Sequence, residues 1–388
     1  MLRLPVYMDY SATTPCDPRV VEAMLPYFYE QFGNAASHSH RYGWAAKEAV
    51  TQAREQTAGI IGAEPGEIVF TSGATEAINL ALKGVFELYR KKGDHIITCM
   101  TEHKAVLDTC KTIERKGGRV TYLPVGKQGS IDLQQLAEAI TPQTILVALM
   151  VANNETGLIH PMAEISRIVH DRGSMLFSDA TQAVGKIPVD VHTDGIDLMS
   201  FSGHKIYGPK GVGALFLRRK NPRVRVQAQM DGGGHENGFR SGTLNVPAIV
   251  GMGHACLLCK QEYVQDASRL LSYRDQLEQA LLKLGDVSVN GDPAHRLPQV
   301  TNLAFGSVAG QELLTEVTKK VAVSSGSACT SALPEPSHVL RAMGLSDGLA
   351  KASLRFSMGR FTTPQEVDFA IQAIWDVINN LREANTLP

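Results

Sequence analysis

Four short stretches combine residue types that could do chemistry. In SFSGHKIYGPKG (200–211), Lys205 lies just beyond an apolar run, beside His204 and Ser202 and ahead of a glycine-rich stretch. A lone lysine is ordinarily a surface residue. Here glycines let backbone come close and neighbouring donors suggest a cleft, where a lysine of lowered pKa forms Schiff bases readily. In SDATQ (178–182), straight after MLF, Asp179 reads as a metal ligand, a catalytic acid or, most commonly, a helix cap. TSGATE (71–76) lies between EIVF and a helical pattern, so that the amides of Ala74 and Thr75 would open a helix. Free amides at a helix start bind phosphate. Taken alone, the stretch is an ordinary capped turn with Thr71 or Ser72 as N-cap. VAVSSGSACTSA (321–332) sets Cys329 among Ser, Gly and Ala. A free cysteine is usually a small buried hydrophobe, but these polar, small neighbours favour a reactive thiol.

Other groupings carry less. No G-x-x-x-x-G-K-[ST] occurs, and GGGH (232–235) neither follows a convincing strand nor opens a clear helix, so a dinucleotide fingerprint is weak. Cys256 and Cys259 form a C-x-x-C without a second pair and sit in an apolar helical pattern, which makes them core residues rather than a zinc or redox site. HSHRYGW (38–44) lacks further metal ligands close by and reads as a solvated loop.

The elements that must position these clusters alternate. EIVF (67–70), HIIT (95–98), TILVALMV (144–151), SMLFSDA, DLMSFSG and GALFLRR are short apolar runs, several of them separated by longer helical patterns. Such alternation predicts βαβ units and a mostly parallel sheet covered on both faces, with ligands at the carboxyl ends of its strands. Several of the polar clusters directly follow an apolar run, which is that place. From about residue 260 a long charged helical pattern leads to short strands and a closing amphipathic helix, a second α+β unit. The expected division is a large cofactor-binding domain over 15–259 and a small domain from 1–14 and 260–388 that carries the cysteine loop. With 388 residues the chain exceeds one ordinary core, which also predicts two domains. A net charge of −1 leaves no basic field for nucleic acid. No run approaches a membrane span or signal peptide, and six scattered cysteines are no disulfide framework, so a reduced, cytoplasmic setting is expected.

With these residues laid out, the chain resembles the cysteine desulfurases of the class V aminotransferase group. The likeness runs through YMDYSATTP, FTSGATE, TEHKAVLDTC, NNETG, DATQAVGK, SGHKIYGPKG, GGGHE, RSGT, SSGSACTSA, EPSHVLRAMG and RFSMGRFTT, and the cysteine stretch resembles the subgroup with a long loop. The resemblance implies the type I fold of pyridoxal-phosphate transferases. It also implies pyridoxal 5′-phosphate as cofactor, L-cysteine as substrate and a homodimer that hands sulfur to an acceptor such as an iron–sulfur scaffold. By position, Lys205 becomes the Schiff-base lysine, Cys329 the persulfide carrier, and His103 the residue stacked on the ring and serving as acid or base. Asp179 meets the ring nitrogen, a role its carboxylate suits, and Gln182 the phenolic oxygen. Ala74, Thr75, Ser202 and His204 hold the phosphate, with Thr243 reaching it from the partner subunit. Asn154 lies near ring and substrate, and Arg355 pairs with the substrate carboxylate, for which a guanidinium is physically apt. The nearest rival is a selenocysteine lyase of the same fold; Cys329 in its loop favours desulfuration.

Overall fold

The computed structural model describes residues 2–325 and 335–386. Strand β1 (Val6–Tyr7) opens the chain. Seven strands follow: β2 (Ile68–Thr71), β3 (His95–Cys99), β4 (Arg119–Leu123), β5 (Thr144–Ala148), β6 (Met175–Asp179), β7 (Leu198–Ser202) and β8 (Gly213–Leu217). They form one sheet in the order β2-β8-β7-β6-β5-β3-β4. Only β8 runs against its neighbours in that sheet, pairing antiparallel with both β2 and β7. The sheet is therefore mostly parallel, as the alternating pattern predicts.

Aliphatic and β-branched runs suit strands that are covered on both faces. Residues of β3, β5, β7 and β8 are buried throughout, whereas the edge strand β4 (RVTYL) is largely half-exposed. Successive residues feed opposite faces. Ile97, Val147, Leu176, Met199 and Phe216 join the core under helices Arg41–Gly59 and Val246–Leu282, whereas Ile96, Leu146, Phe177, Leu198 and Leu215 join that under Ala74–Tyr89 and Lys104–Arg115.

A further core gathers Val6 and Met8 with residues from Leu270 onward. It packs strands β9 (Val287–Val289), β10 (Val300–Phe305) and β12 (Ser353–Ser357), ordered β12-β10-β9, against helix Pro364–Thr386. Strand β11 (Val321–Ala322) pairs in parallel with β1. Helix Val246–Leu282 crosses position 260 without a break: its apolar first half is buried and its charged second half largely solvated. Differing from the loop expected for HSHRYGW, Arg41–Trp44 form the first turn of a helix, with the His40 imidazole accepting the Gly43 amide as N-cap. That cap is a local bond which apolar periodicity does not signal.

The topology decides where chemistry collects. β2, β3, β5, β6 and β7 are parallel, so TSGATE, TEHK, MVANN, DATQ and GHK emerge at one edge of the sheet.

Candidate active site

A cavity of about 690 Å³ lies at that edge. Ten of the expected residues line it: Ala74, Thr75, His103, Asn154, Asp179, Gln182, Ser202, His204, Lys205 and Arg355.

One group of lining residues can hold an anion. Helix Ala74–Tyr89 has Gly73 as its N-cap, with no side-chain cap bond. The Thr71 hydroxyl donates to the Gly73 carbonyl instead (2.9 Å). The first-turn amides thus receive no side-chain cap, unlike those of an ordinary capped turn, and can take a ligand. Gly73 sits at φ +155° and presses against Gly213 of β8, where an added Cβ would come within 2.6 Å of the Gly73 Cα. Glu76 does not oppose an anion there, because Arg240 neutralises it (2.7 Å) and its other oxygen takes the Ser72 amide (2.8 Å). Ser202 lies beside this turn, and His204 shares a hydrogen bond with the Thr13 hydroxyl (3.1 Å). Burial and then the lysines Lys205, Lys210 and Lys186 push the His204 pKa down to about 4, so its ring is neutral at pH 7.

A second group supplies acid–base side chains. Lys205 closes a short 3₁₀ turn after β7, and its ammonium donates to the carbonyls of Ser11 (2.5 Å) and Ala12 (2.6 Å). Burial, then Arg355, lowers its pKa to about 8 against the pull of Asp9 and Asp179. Asp179 ends β6, and one of its oxygens accepts the Thr181 amide (3.0 Å), so it caps a turn as well as lining the cavity. Gln182 donates to the Ser11 carbonyl (2.9 Å). His103 caps helix Lys104–Arg115 by accepting the Ala105 amide on Nδ1 (3.1 Å), which in a neutral ring leaves the proton on Nε2. Arg355 donates to the Asn154 carbonyl (2.8 Å) and to Asp9 (2.5 Å), while its Nε is buried without a partner.

Two expected residues stand apart. Thr243 is exposed, does not line this cavity and precedes helix Val246–Leu282. Cys329 lies outside the described residues; Ser324, five positions earlier, lines the cavity and pairs with Arg355 of β12. Burial raises the thiol pKa of Cys99 to about 11 and of Cys110 to about 12. Cys256 and Cys259 are buried on a helix, and no metal-binding cluster occurs among the described residues.

Sequence reasoning gave no role to Asp9, Ser11 or Lys186. YMDYSATTP and DATQAVGK were visible as motifs, but the partners of Asp9 and Ser11 lie far along the chain. The polar set includes the hydroxyls of Ser11 and Thr181, both buried without a hydrogen-bond partner. It suits a ligand with an anionic head, a cationic ring nitrogen and a group that condenses with an amine.

Comparison with known proteins agrees. The class V aminotransferase family matches residues 6–369. The cysteine desulfurase IscS of Anaeromyxobacter sp. (strain K) is 55% identical over 387 residues, 100% of this chain and 95% of that protein. Among solved structures, a NifS-like protein superposes with a TM-score of 0.91 at 36% identity, over 97% of this chain and 100% of the other. SspA in complex with cysteine gives a TM-score of 0.81 at 36% identity, over 92% and 100%. The chain belongs to the class V aminotransferases and, within them, to the cysteine desulfurases.

Proposed function

We propose that this enzyme uses pyridoxal 5′-phosphate to convert L-cysteine to L-alanine, placing the sulfur on Cys329 as a persulfide for delivery to an acceptor such as an iron–sulfur scaffold. The observation that carries the reading is a single cavity holding Lys205 of lowered pKa, the carboxylate of Asp179 and an uncapped helix start.

When bound, pyridoxal phosphate supplies an aldehyde that captures amines and a ring that spreads the electron pair left by loss of an α-proton. The Ala74 and Thr75 amides, Ser202 and neutral His204 would hold the phosphate. Asp179 would keep the ring nitrogen protonated, and the Gln182 amide would donate to the ring oxygen. With a pKa near 8, Lys205 is partly neutral at physiological pH and able to take the α-proton. Arg355, with Asn154 beside it, would bind the substrate carboxylate. His103 Nε2 would pass protons to or from the substrate thiol and Cys329. The Cys329 thiolate would attack the substrate sulfur, forming the S–S bond of the persulfide as the carbon–sulfur bond breaks, and the carbon that keeps that electron pair would take up a proton and leave as alanine. Persulfide chemistry needs Cys329 reduced, which fits work in the cytoplasm.

The protein is read as a homodimer. Phe28, Tyr29, Phe32 and Trp44 are each more than half exposed, an apolar surface of the kind that partners cover. Thr243 would reach the phosphate of the neighbouring subunit. Light scattering showing a monomer at working concentration would defeat this.

The deciding experiment incubates the protein with cysteine and a reducing thiol and measures alanine and sulfide. Equal amounts are expected, and Lys205→Ala should make neither. Turnover by Lys205→Ala at the unaltered enzyme's rate would refute the assignment.

A further inference from the structure

Behind the cofactor-facing side of Gln182 lies a second lysine that the mechanism does not use. Lys186 follows Gln182 by four residues in a run of turns, so both project to one side. Gly185, at φ +74°, brings this run so close to helix Val246–Leu282 that an added Cβ would lie 3.1 Å from Cys259. Lys186 is partly exposed along its length, but its ammonium end is enclosed. That end donates to Gln182 Oε1 at 2.8 Å.

This bond and the one to the Ser11 carbonyl together fix a choice that the amide alone leaves open. When protonated, Lys186 only donates, so the carboxamide then presents oxygen to it and nitrogen to the other side. The nitrogen spends one hydrogen on the Ser11 carbonyl, and Gln182 itself lines the active cavity. A flipped amide would set NH₂ against NH₃⁺.

Among the described residues no carboxylate lies within ion-pair distance of Lys186. Asp266, which borders the same small space of about 20 Å³ beside Ser11, Tyr207 and Gln299, is tied to Arg269 (2.9 Å) and Arg360 (3.0 Å). Lys205 and Arg355 repel Lys186 from the cleft side, and Cys259 faces it from the long helix. Burial and these cations push its pKa down to about 7. An enclosed cation without a counter-charge is costly. It becomes favourable when negative charge settles on the far side of the amide that it grips.

We propose that Lys186 is a positioning residue, which locks the Gln182 carboxamide nitrogen-first toward the cleft and through that amide favours an anionic oxygen on the bound cofactor. The inference rests on the function proposed above. The test compares unaltered protein, Lys186→Met, Lys186→Arg, Gln182→Ala and the double variant Lys186→Met/Gln182→Ala. Two quantities are read without turnover: the dissociation constant for pyridoxal phosphate, and the pH midpoint of the bound cofactor's absorption change. In Lys186→Met the dissociation constant should rise about tenfold. The midpoint should move up by about one unit, since removing a nearby cation favours the protonated form. Lys186→Arg should restore the midpoint, and on the Gln182→Ala background Lys186→Met should add less than about twofold. An unchanged midpoint in Lys186→Met, or an equal shift with and without the amide, overturns the inference while leaving the cofactor assignment intact. So does loss of folding in both Lys186 variants, which would make the residue structural. If unaltered protein binds no pyridoxal phosphate, the function proposed above fails first and takes this inference with it.

Discussion

Replacing Arg355 by glutamine tests the electrostatics of the cleft through a group that is not itself replaced. Arg355 is the second cause, after burial, of the low pKa of Lys205, and Asp9 and Asp179 act the other way. Arg355 and Lys205 line the same cavity and interact electrostatically, at a separation on the order of 10 Å. Two unit charges at that separation, in an effective dielectric of about 20, repel by about 1.5 kcal/mol, or about one pKa unit. Losing the guanidinium should therefore raise the Lys205 pKa from about 8 to about 9, and Asp9, stripped of its partner, pushes the same way. At pH 7.5 the neutral fraction of Lys205 falls from about one quarter to about one thirtieth. Only the neutral amine can attack an aldehyde. Stopped-flow absorbance should show cofactor-free Arg355→Gln capturing pyridoxal phosphate about eightfold more slowly at that pH, with the two rates converging near pH 10. Simple damage to the cleft would lower the rate at every pH and leave the midpoint in place. A midpoint that stays near 8, or falls, would refute the charge coupling between Arg355 and Lys205.

Four further outcomes are expected. Asp179→Asn should keep the cofactor but lose alanine formation by about 100-fold or more, because the ring nitrogen loses its counter-charge; a stopped cysteine assay with amino-acid analysis checks this. Cys329→Ser should bind cofactor normally yet release almost no sulfur from cysteine. Mass spectrometry of the unaltered protein after exposure to cysteine should find one added sulfur on the Cys329 peptide and none on Cys99 or Cys110, whose thiols are held protonated by burial. Cofactor-free protein should gain stability as pH rises. Lys186 and Lys205 have folded pKa values of about 7 and about 8, below the unfolded value of about 10.4. Between those limits the unfolded chain binds more protons, so their contribution to stability grows from about pH 7 to about pH 10, which urea titrations at fixed pH values would show.

Much of this arrangement is legible along the chain, for a reason specific to parallel sheets. Six of the seven strands of the large sheet announce themselves as apolar runs, whereas RVTYL of the half-exposed edge strand β4 does not, and a parallel sheet brings the carboxyl ends of such runs to one edge. TSGATE, TEHK, DATQ and GHK therefore share a site although more than a hundred residues separate the first from the last. Direction is not written in an apolar run, and GALFL gives no sign that β8 runs antiparallel. Nor does T-S-G reveal which residue caps the helix; the close approach of Gly213 fits the bare glycine at that position. Asp9 and Arg355 are 346 positions apart and meet only because Asp9 bridges to Ser357, two places beyond Arg355 on the edge that β12 presents. Lys186 reads as a surface lysine in sequence, and it takes Gly185 against the long helix to enclose its end.

The charges around the cleft make sense only with a ligand in view. Lys186, Lys205 and Arg355 converge on a region where Asp9 and Asp179 carry the negative charge, since Glu76 is spent on Arg240 and burial pushes the Glu102 and Glu155 carboxyls up toward their neutral forms. The balance is positive, and each cation is at least partly withdrawn from water. A sequence selected for stability alone would replace such groups with apolar side chains of similar volume, often at no loss. Their presence next to an uncapped helix start fits a site for an anion, whose arrival would supply the missing charge. To serve as the proposed base, Lys205 must stay partly neutral, and burial together with Arg355 helps to keep it so. On the function proposed above, the same positive charge would serve both to hold an anionic cofactor and to keep the base partly neutral.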